Sequence, residues 1–427
     1  MTASLSLLGS RQLVHRAQQR LAAQRQVRLV QLVCSSSARP KPQRCCKATA
    51  AAAAAAAGSP GEPPLVEADT IIEPDGTVTA QPQNAEDRKD LWRRAIKLPM
   101  YSVGWAPILV SAAAAYVQTG AFNPVRTLLL CVAATAIIAW LNLSNDVFDS
   151  VTGVDKTKPE SMVNMLGGNA RLVFLLATAF LAAGGGLLFW LLQGAGNPLA
   201  PRMLGAAVAM GYVYQGPPFR WSYLGLGEPL CFLAFGPLAT CAFYFAQVPP
   251  AQAVFTQMIV ALSGLVGITT TVILFCAHFH QVEGDYAHGK MSPLVRMGTH
   301  KGTEILKLAV GFTHILTLVL GLMGVLPFAC WTSAMVAYGM AGEMVKVAET
   351  NVKNPVGLQR LKFLATRWHI AFSSMLVLGL LLSTLIIHVY TLQHPQRVAT
   401  FKLGAGFRGW NLSASPAFFA GGNRGRG

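Results

Sequence analysis

Apolar runs separated by short polar breaks fill the chain from residue 98 to residue 391. They cover 98–118, 124–148, 170–193, 200–215, 226–248, 254–281, 304–325, 327–345 and 367–391. A helix rises about 1.5 Å per residue and a bilayer core is roughly 30 Å thick, so such runs read as membrane-crossing helices, 200–215 being the weakest. The pattern predicts an all-α, polytopic membrane helix bundle with about nine transmembrane helices.

Composition supports this. Of 427 residues, 53% are apolar and 12% charged, which excludes a water-soluble chain of this size. The 34 Lys and Arg outnumber 18 Asp and Glu, but nine of the basic residues precede Glu62, the first acid. Over the rest of the chain the excess is seven, and membrane topology accounts for it. With nine spans, 18 Lys and Arg fall on the face that carries the N-terminus, against Arg126, Arg202 and five tail residues on the other. That asymmetry turns the N-terminal face toward stroma or matrix and gives no reason to invoke nucleic acid. The eight Cys include no CxxC pair.

Residues 1–60 are rich in Arg, contain Ser and an alanine run, lack acids and have no long apolar core, the chemistry of an organelle transit peptide. Residues 61–85 read as a linker, 86–391 as the membrane domain and 392–427 as a flexible tail.

Acids at the end of a membrane helix are costly and oppose the helix dipole, so they mark an ion, a proton path or a charged substrate. The second span ends in Asn142-Leu-Ser-Asn145-Asp146-Val-Phe-Asp149, followed by Gly153, Asp155, Lys156 and Lys158. Helical spacing puts Asn142, Asn145 or Asp146, and Asp149 on one face, and a turn at Gly153 can bring Asp155 back toward it. The sixth span ends in a second polar cluster from His278 to Lys290. A regular helix aligns His278, Gln281 and Asp285 and points Glu283 away with His280, unless Gly284 breaks it first.

Hard oxygen ligands without Cys or paired His suit Mg²⁺, which is usually shared between carboxylates and substrate phosphates. Lys156, Lys158, Arg220, Lys290 and Arg296 on the same face add cations for oxyanions, and the combination implies a diphosphate. Tyr212, Tyr214 and Phe219, in or beside the loop after the fourth span, can stabilise the allylic cation that a departing diphosphate leaves. A cation transporter or channel is the alternative, because acids also coordinate ions in transit. Clusters at helix ends on one face favour a one-sided reaction chamber over a midplane site.

Asn145-Asp146-x-x-Asp149-x5-Asp155, the second acidic motif four helices later and the nine spans resemble the UbiA superfamily of membrane prenyltransferases over residues 86–391. The wording NLSNDVFDSVTGVDKTKPESMVN, YVYQGPPFRWSYLGLGE and HFHQVEGDYAHGKMSPLVRMG is most similar to its chloroplast and cyanobacterial branch, which transfers phytyl to 1,4-dihydroxy-2-naphthoate on the route to phylloquinone. The resemblance implies a Mg²⁺-dependent enzyme of the chloroplast membrane, its mouth toward the stroma. Phytyl diphosphate would be the donor and a naphthoate the aromatic acceptor, with loss of CO₂, the long chain lying among helices or lipid. It implies Asp146, Asp149, Asp155 and Asp285 as metal ligands and Asp149, Asp155 and Tyr214 as catalytic residues. Asn142, Asn145, Lys156, Lys158, Tyr212, Arg220, Gln281, Lys290 and Arg296 would bind substrate. Gln281 stands where the family commonly has Asp, which makes a symmetric pair of metals doubtful. Homogentisate, chlorophyllide and 4-hydroxybenzoate are the alternative acceptors.

Overall fold

The computed structural model describes residues 70–72, 78–80, 85–153 and 158–393. The expected transit peptide, much of the linker, Asp155, Lys156 and the tail from 394 onward lie outside the described residues. Within the linker, Thr70–Ile72 (β1) and Val78–Ala80 (β2) pair antiparallel, Thr70 opposite Ala80. Every other regular element is helical. These are α1 (Ala85–Ile96), α2 (Ser102–Thr119), α3 (Pro124–Thr152), α4 (Met162–Met165), α5 (Ala170–Gln193), α6 (Leu199–Gln215), α7 (Gly227–Leu233), α8 (Cys241–Gln247), α9 (Gln257–His278), α10 (Val282–Ala287), α11 (Pro293–Leu322), α12 (Trp331–Thr350), α13 (Pro355–Leu358) and α14 (Arg360–Gln393).

Helix starts follow local chemistry. The side chains of Asn123, Asn169, Thr256 and Ser292 accept backbone N–H bonds at the first turns of α3, α5, α9 and α11. Gly153, at φ 83°, ends α3 in the left-handed conformation that only glycine adopts cheaply, so the whole Asn142–Asp149 motif stays helical. The run expected as one helix over 226–248 is divided. Between α7 and α8 the chain makes a wide-turned stretch, Ala234–Thr240, because Pro237 has no N–H to give.

Seven helical segments are long and apolar enough to cross a membrane: Leu91–Thr119, Pro124–Thr152, Ala170–Gln193, Gly227–Gln247, Gln257–His278, Pro293–Leu322 and Pro355–Tyr390. The other two expected spans are present as α6 and α12 but are not among these seven. α6 has only 17 residues, and α12 carries Glu343, Lys346 and Glu349. The sixth expected span also stops early. It ends at His278, tightens into a turn in which Gln281 N–H reaches His278 O at 3.0 Å, and restarts as α10 when Asp285 N–H bonds Gln281 O at 2.8 Å. Gly284 lies inside α10 and is not the break. Glu283 and Asp285 therefore belong to a separate short helix.

Leu175, Phe189 and Trp190 on α5 and Leu308, Ile315 and Leu322 on α11 are each exposed by 61% or more, as lipid-facing side chains would be. Inward faces use small residues to bring backbones close. A Cβ on Gly184 of α5 would lie 2.9 Å from the Cβ of Ala136 on α3. At Gly236 it would meet Ser263 O at 2.7 Å and Gly267 Cα at 2.9 Å, so the wide-turned stretch rests directly on the α9 backbone. No rotamer relieves a clash with backbone. Gly236→Val is expected to cost about 1–3 kcal/mol and lower Tm in detergent, whereas Gly264→Ala, inside α9 and with its Cβ in open space, should not lower Tm.

Candidate active site

A cavity of about 260 Å³ opens among α3, α6, α7 and α9. One part of its wall is polar: Asn142, Asn145, Asp146 and Asp149 from α3, Gln215 from α6, His278 and Gln281 from the α9 end, and the four lysines Lys97, Lys158, Lys290 and Lys362. The rest is mostly apolar, including Ile138, Leu141, Leu230, Phe235 and Ile273. The chamber therefore suits a molecule with an anionic head and a hydrocarbon body.

The α3 acids are not equivalent. Asp146 is buried with both oxygens engaged, Oδ1 accepting from Lys97 Nζ at 3.0 Å and Oδ2 from the Met162 backbone N–H at 2.9 Å. It clamps the entry to α2 and the start of α4. Asp149 accepts from Gln215 Nε2, and Gln215 Oε1 accepts from Ser222 Oγ at 3.0 Å. That relay ties α3 to the C-terminus of α6 and to the loop beyond.

Asp285 differs from both. It is 1% exposed, and neither carboxylate oxygen has a hydrogen-bond partner. Its nearest cation, Lys290 Nζ, stands at 3.7 Å and is itself 5% exposed. A buried carboxylate with unfilled acceptor sites fits a bound cation, because leaving it so in a dry site is expensive.

The loops that follow α6 and α10 are bonded to each other. Met291 N–H donates to Tyr223 O at 3.0 Å, Arg296 Nη2 to Leu224 O at 2.9 Å and Arg296 Nε to Met291 O at 3.1 Å. A Cβ on Gly225 (φ 77°) would meet Met291 O at 2.8 Å, so this close passage requires glycine. Tyr223 lies where the loops meet and donates to Thr152 Oγ1 at 2.9 Å. Burial chiefly raises its pKa, and Asp149 and Asp285 both add to the rise, which places the hydroxyl within electrostatic reach of both acids.

Of the residues expected from sequence, Asn142, Asn145, Asp146, Asp149, Lys158, Tyr214, Gln281 and Lys290 line the cavity, and Asp285 adjoins it through Lys290. Tyr212, Arg220 and Arg296 are not in its wall. Tyr212 makes edge contacts with Phe148 and Phe219, its ring centroid 6.3 and 6.5 Å from theirs, and donates to Pro217 O at 2.6 Å. Arg296 is committed to backbone carbonyls, and Arg220 forms the left-handed turn (φ 46°) that starts the loop. His278, from the second polar cluster, also lines it, as do Lys97, Lys362, Gln215 and Phe235. The two lysines were legible only as topological charges, and Gln215 and Phe235 carried no signal of their own.

The UbiA prenyltransferase family matches residues 105–366. The chain belongs to this family. It is 42% identical over 312 residues to 2-carboxy-1,4-naphthoquinone phytyltransferase, chloroplastic, of Arabidopsis thaliana, spanning 72% of this chain and 81% of that one. Identity is also 42% over 299 residues to 2-carboxy-1,4-naphthoquinone phytyltransferase of Synechocystis, spanning 69% and 94%. A solved UbiA homolog from Archaeoglobus fulgidus is 15% identical, with a TM-score of 0.46 over 69% of this chain and 99% of that one. In this UbiA family member the residues that differ most in environment, Asp146 and Asp285, occupy the two acidic segments.

His280 sits beside the mouth. Burial first, then Lys362 and Lys158, pull its pKa from 6.5 down to about 4. A histidine that binds its proton less readily folded than unfolded lowers stability as pH falls from 6.5 toward 4. His280→Asn is expected to flatten that limb of a Tm-against-pH curve in detergent. An unchanged curve would contradict the assignment.

Proposed function

We propose that this UbiA prenyltransferase transfers a phytyl group from its diphosphate to 1,4-dihydroxy-2-naphthoate, with loss of CO₂, as a step of phylloquinone biosynthesis. The observation that carries the reading is one chamber with carboxylates and four lysines at its mouth and hydrocarbon walls behind, in a chain 42% identical to phytyltransferases over most of its length. Its membrane is that of the chloroplast, as the Arabidopsis relative's name indicates for that protein, with the mouth on the stromal side.

Asp149 and Asp285 are the groups suited to hold Mg²⁺ in this reading. The ion, when bound, would neutralise diphosphate oxygens and make that group a better leaving group. Lys158, Lys290 and Lys362 take the remaining anionic charge, and Asn142, Asn145 and Gln281 orient the head by hydrogen bonds. Asp146 and Lys97 hold one edge of the mouth closed through their mutual ion pair. Tyr214 and Phe235 are the aromatic groups that face an allylic cation and keep water from it.

The isoprenoid chain has a path. A second cavity of about 70 Å³ shares Ile138, Leu141, Gly211, Ala234 and Phe235 with the first and continues along Gly104, Ala134, Leu188, Leu204 and Phe243. Its walls offer apolar contact and no charge, which suits a saturated tail.

Purified protein with phytyl diphosphate, dihydroxynaphthoate and Mg²⁺ is expected to give the phytylated, decarboxylated product, and EDTA to stop it. Transfer to homogentisate, chlorophyllide or 4-hydroxybenzoate instead would overturn the acceptor. Asp149→Asn keeps the shape that Gln215 holds but removes the charge, and activity should fall by about 10²-fold or more with the protein still folded in membranes. Full activity in that variant would overturn the site.

A further inference from the structure

Behind the mouth lies a titratable pair that diphosphate binding does not use. Glu228, in the first turn of α7, and His278, the last residue of α9, are 50 residues apart in sequence, yet Glu228 Oε1 and His278 Nδ1 are 3.0 Å apart. Their side chains are 11% and 5% exposed, and Glu228 Oε2 has no hydrogen-bond partner. Buried pairs of this kind seldom stabilise a fold more than apolar residues of the same size would. Inside a membrane bundle such a pair asks for a chemical reason.

Geometry supplies one. With Nδ1 occupied by Glu228, the ring nitrogen left for the chamber that His278 lines is Nε2. A carboxylate on Nδ1 fixes the tautomer with the proton on that side and leaves the Nε2 lone pair to accept another. The pair also adjoins the aromatic wall, because a Cβ on Gly227 would lie 2.9 Å from the Tyr214 ring. His278 is thus in the wall where an aromatic acceptor would meet the allylic end of the donor.

We propose that His278 is the base for the acceptor's ring hydroxyl and that Glu228 is its positioning residue. The proposal rests on the phytyl-transfer reading above. In the step, the hydroxyl proton moves to Nε2 while its O–H electron pair pushes into the ring. The ring carbon that bears the carboxylate then bonds to the phytyl carbon, whose bond to the diphosphate oxygen breaks. Cleavage of the ring–carboxylate bond releases CO₂, its electron pair restores the aromatic ring, and the proton returns from Nε2 to the oxygen. No oxidant or net proton is needed.

The test uses the full chain in detergent or liposomes with phytyl diphosphate, dihydroxynaphthoate and Mg²⁺. His278→Gly should lower kcat by about 10²-fold, leave KM for phytyl diphosphate unchanged, and recover part of the loss on adding imidazole. Glu228→Gln should lower kcat by about tenfold, again with both KM values unchanged and without rescue by imidazole. It also covers the case in which the glycine variant fails to reach membranes. A His278→Gly enzyme within twofold of wild type, a loss that appears in KM for phytyl diphosphate, or a kcat unchanged by Glu228→Gln would overturn the proposal. Wild-type protein with no transfer to any acceptor would instead overturn the phytyl-transfer reading, so the two failures are distinguishable.

Discussion

The structure turns on one unsatisfied charge. Asp285 is buried at the end of the bundle with no hydrogen-bond donor on either oxygen and a lysine too distant to complete its shell. A carboxylate in that position is costly, and a cation that joins it offsets the cost. Much of the surrounding architecture ties the segment that carries Asp285 to the loop that follows α6. The loop after α6 is bonded to the loop after α10 through Met291 and Arg296, and Gly225 lets them pass closely. Gln215 fixes Asp149 from the other side.

This arrangement separates two kinds of acid that look alike in sequence. Asp146 has both oxygens occupied by Lys97 and the Met162 backbone, so in this conformation it acts as a clamp. In the proposed function Asp149 and Asp285 are the pair that would hold the metal and, through it, the diphosphate. All four lysines bring charge to the wall of the chamber, Lys97 paired with Asp146 and Lys290 with Asp285. Hydrophobic burial builds the helices, but polar loop contacts decide where the chemistry can happen.

The bundle and its first acidic motif were legible because both depend on local periodicity. Apolar runs mark the helices, and the spacing of Asn142, Asn145, Asp146 and Asp149 survives because Gly153 ends α3 only after the motif is complete. The second motif was less legible. Periodicity offers a regular helix or a break at Gly284, whereas the chain turns between His278 and Gln281 and restarts as α10, a consequence of backbone bonds that side-chain periodicity does not encode. Lys362 and Lys97 were hidden by a sufficient simpler explanation, the positive charge of one membrane face. The pairing of Glu228 with His278 was hidden by distance along the chain, since nothing local predicts that α7 and α9 meet there. Tyr212 and Arg296 went the other way, their chemistry taken up by loop contacts outside the chamber.

The central claim is that segments from α3 and α10 share one cation and one diphosphate group. Electron paramagnetic resonance of Mn²⁺ with inorganic pyrophosphate tests it directly on wild type, Asp149→Asn, Asp285→Asn and the double variant. Shared ligation predicts that each single variant weakens pyrophosphate-dependent Mn²⁺ binding about as much as the double variant does, because the two carboxylates act on one complex. Binding unchanged in Asp285→Asn, or losses that simply add, would mean that the two acidic segments do not meet at a common ion.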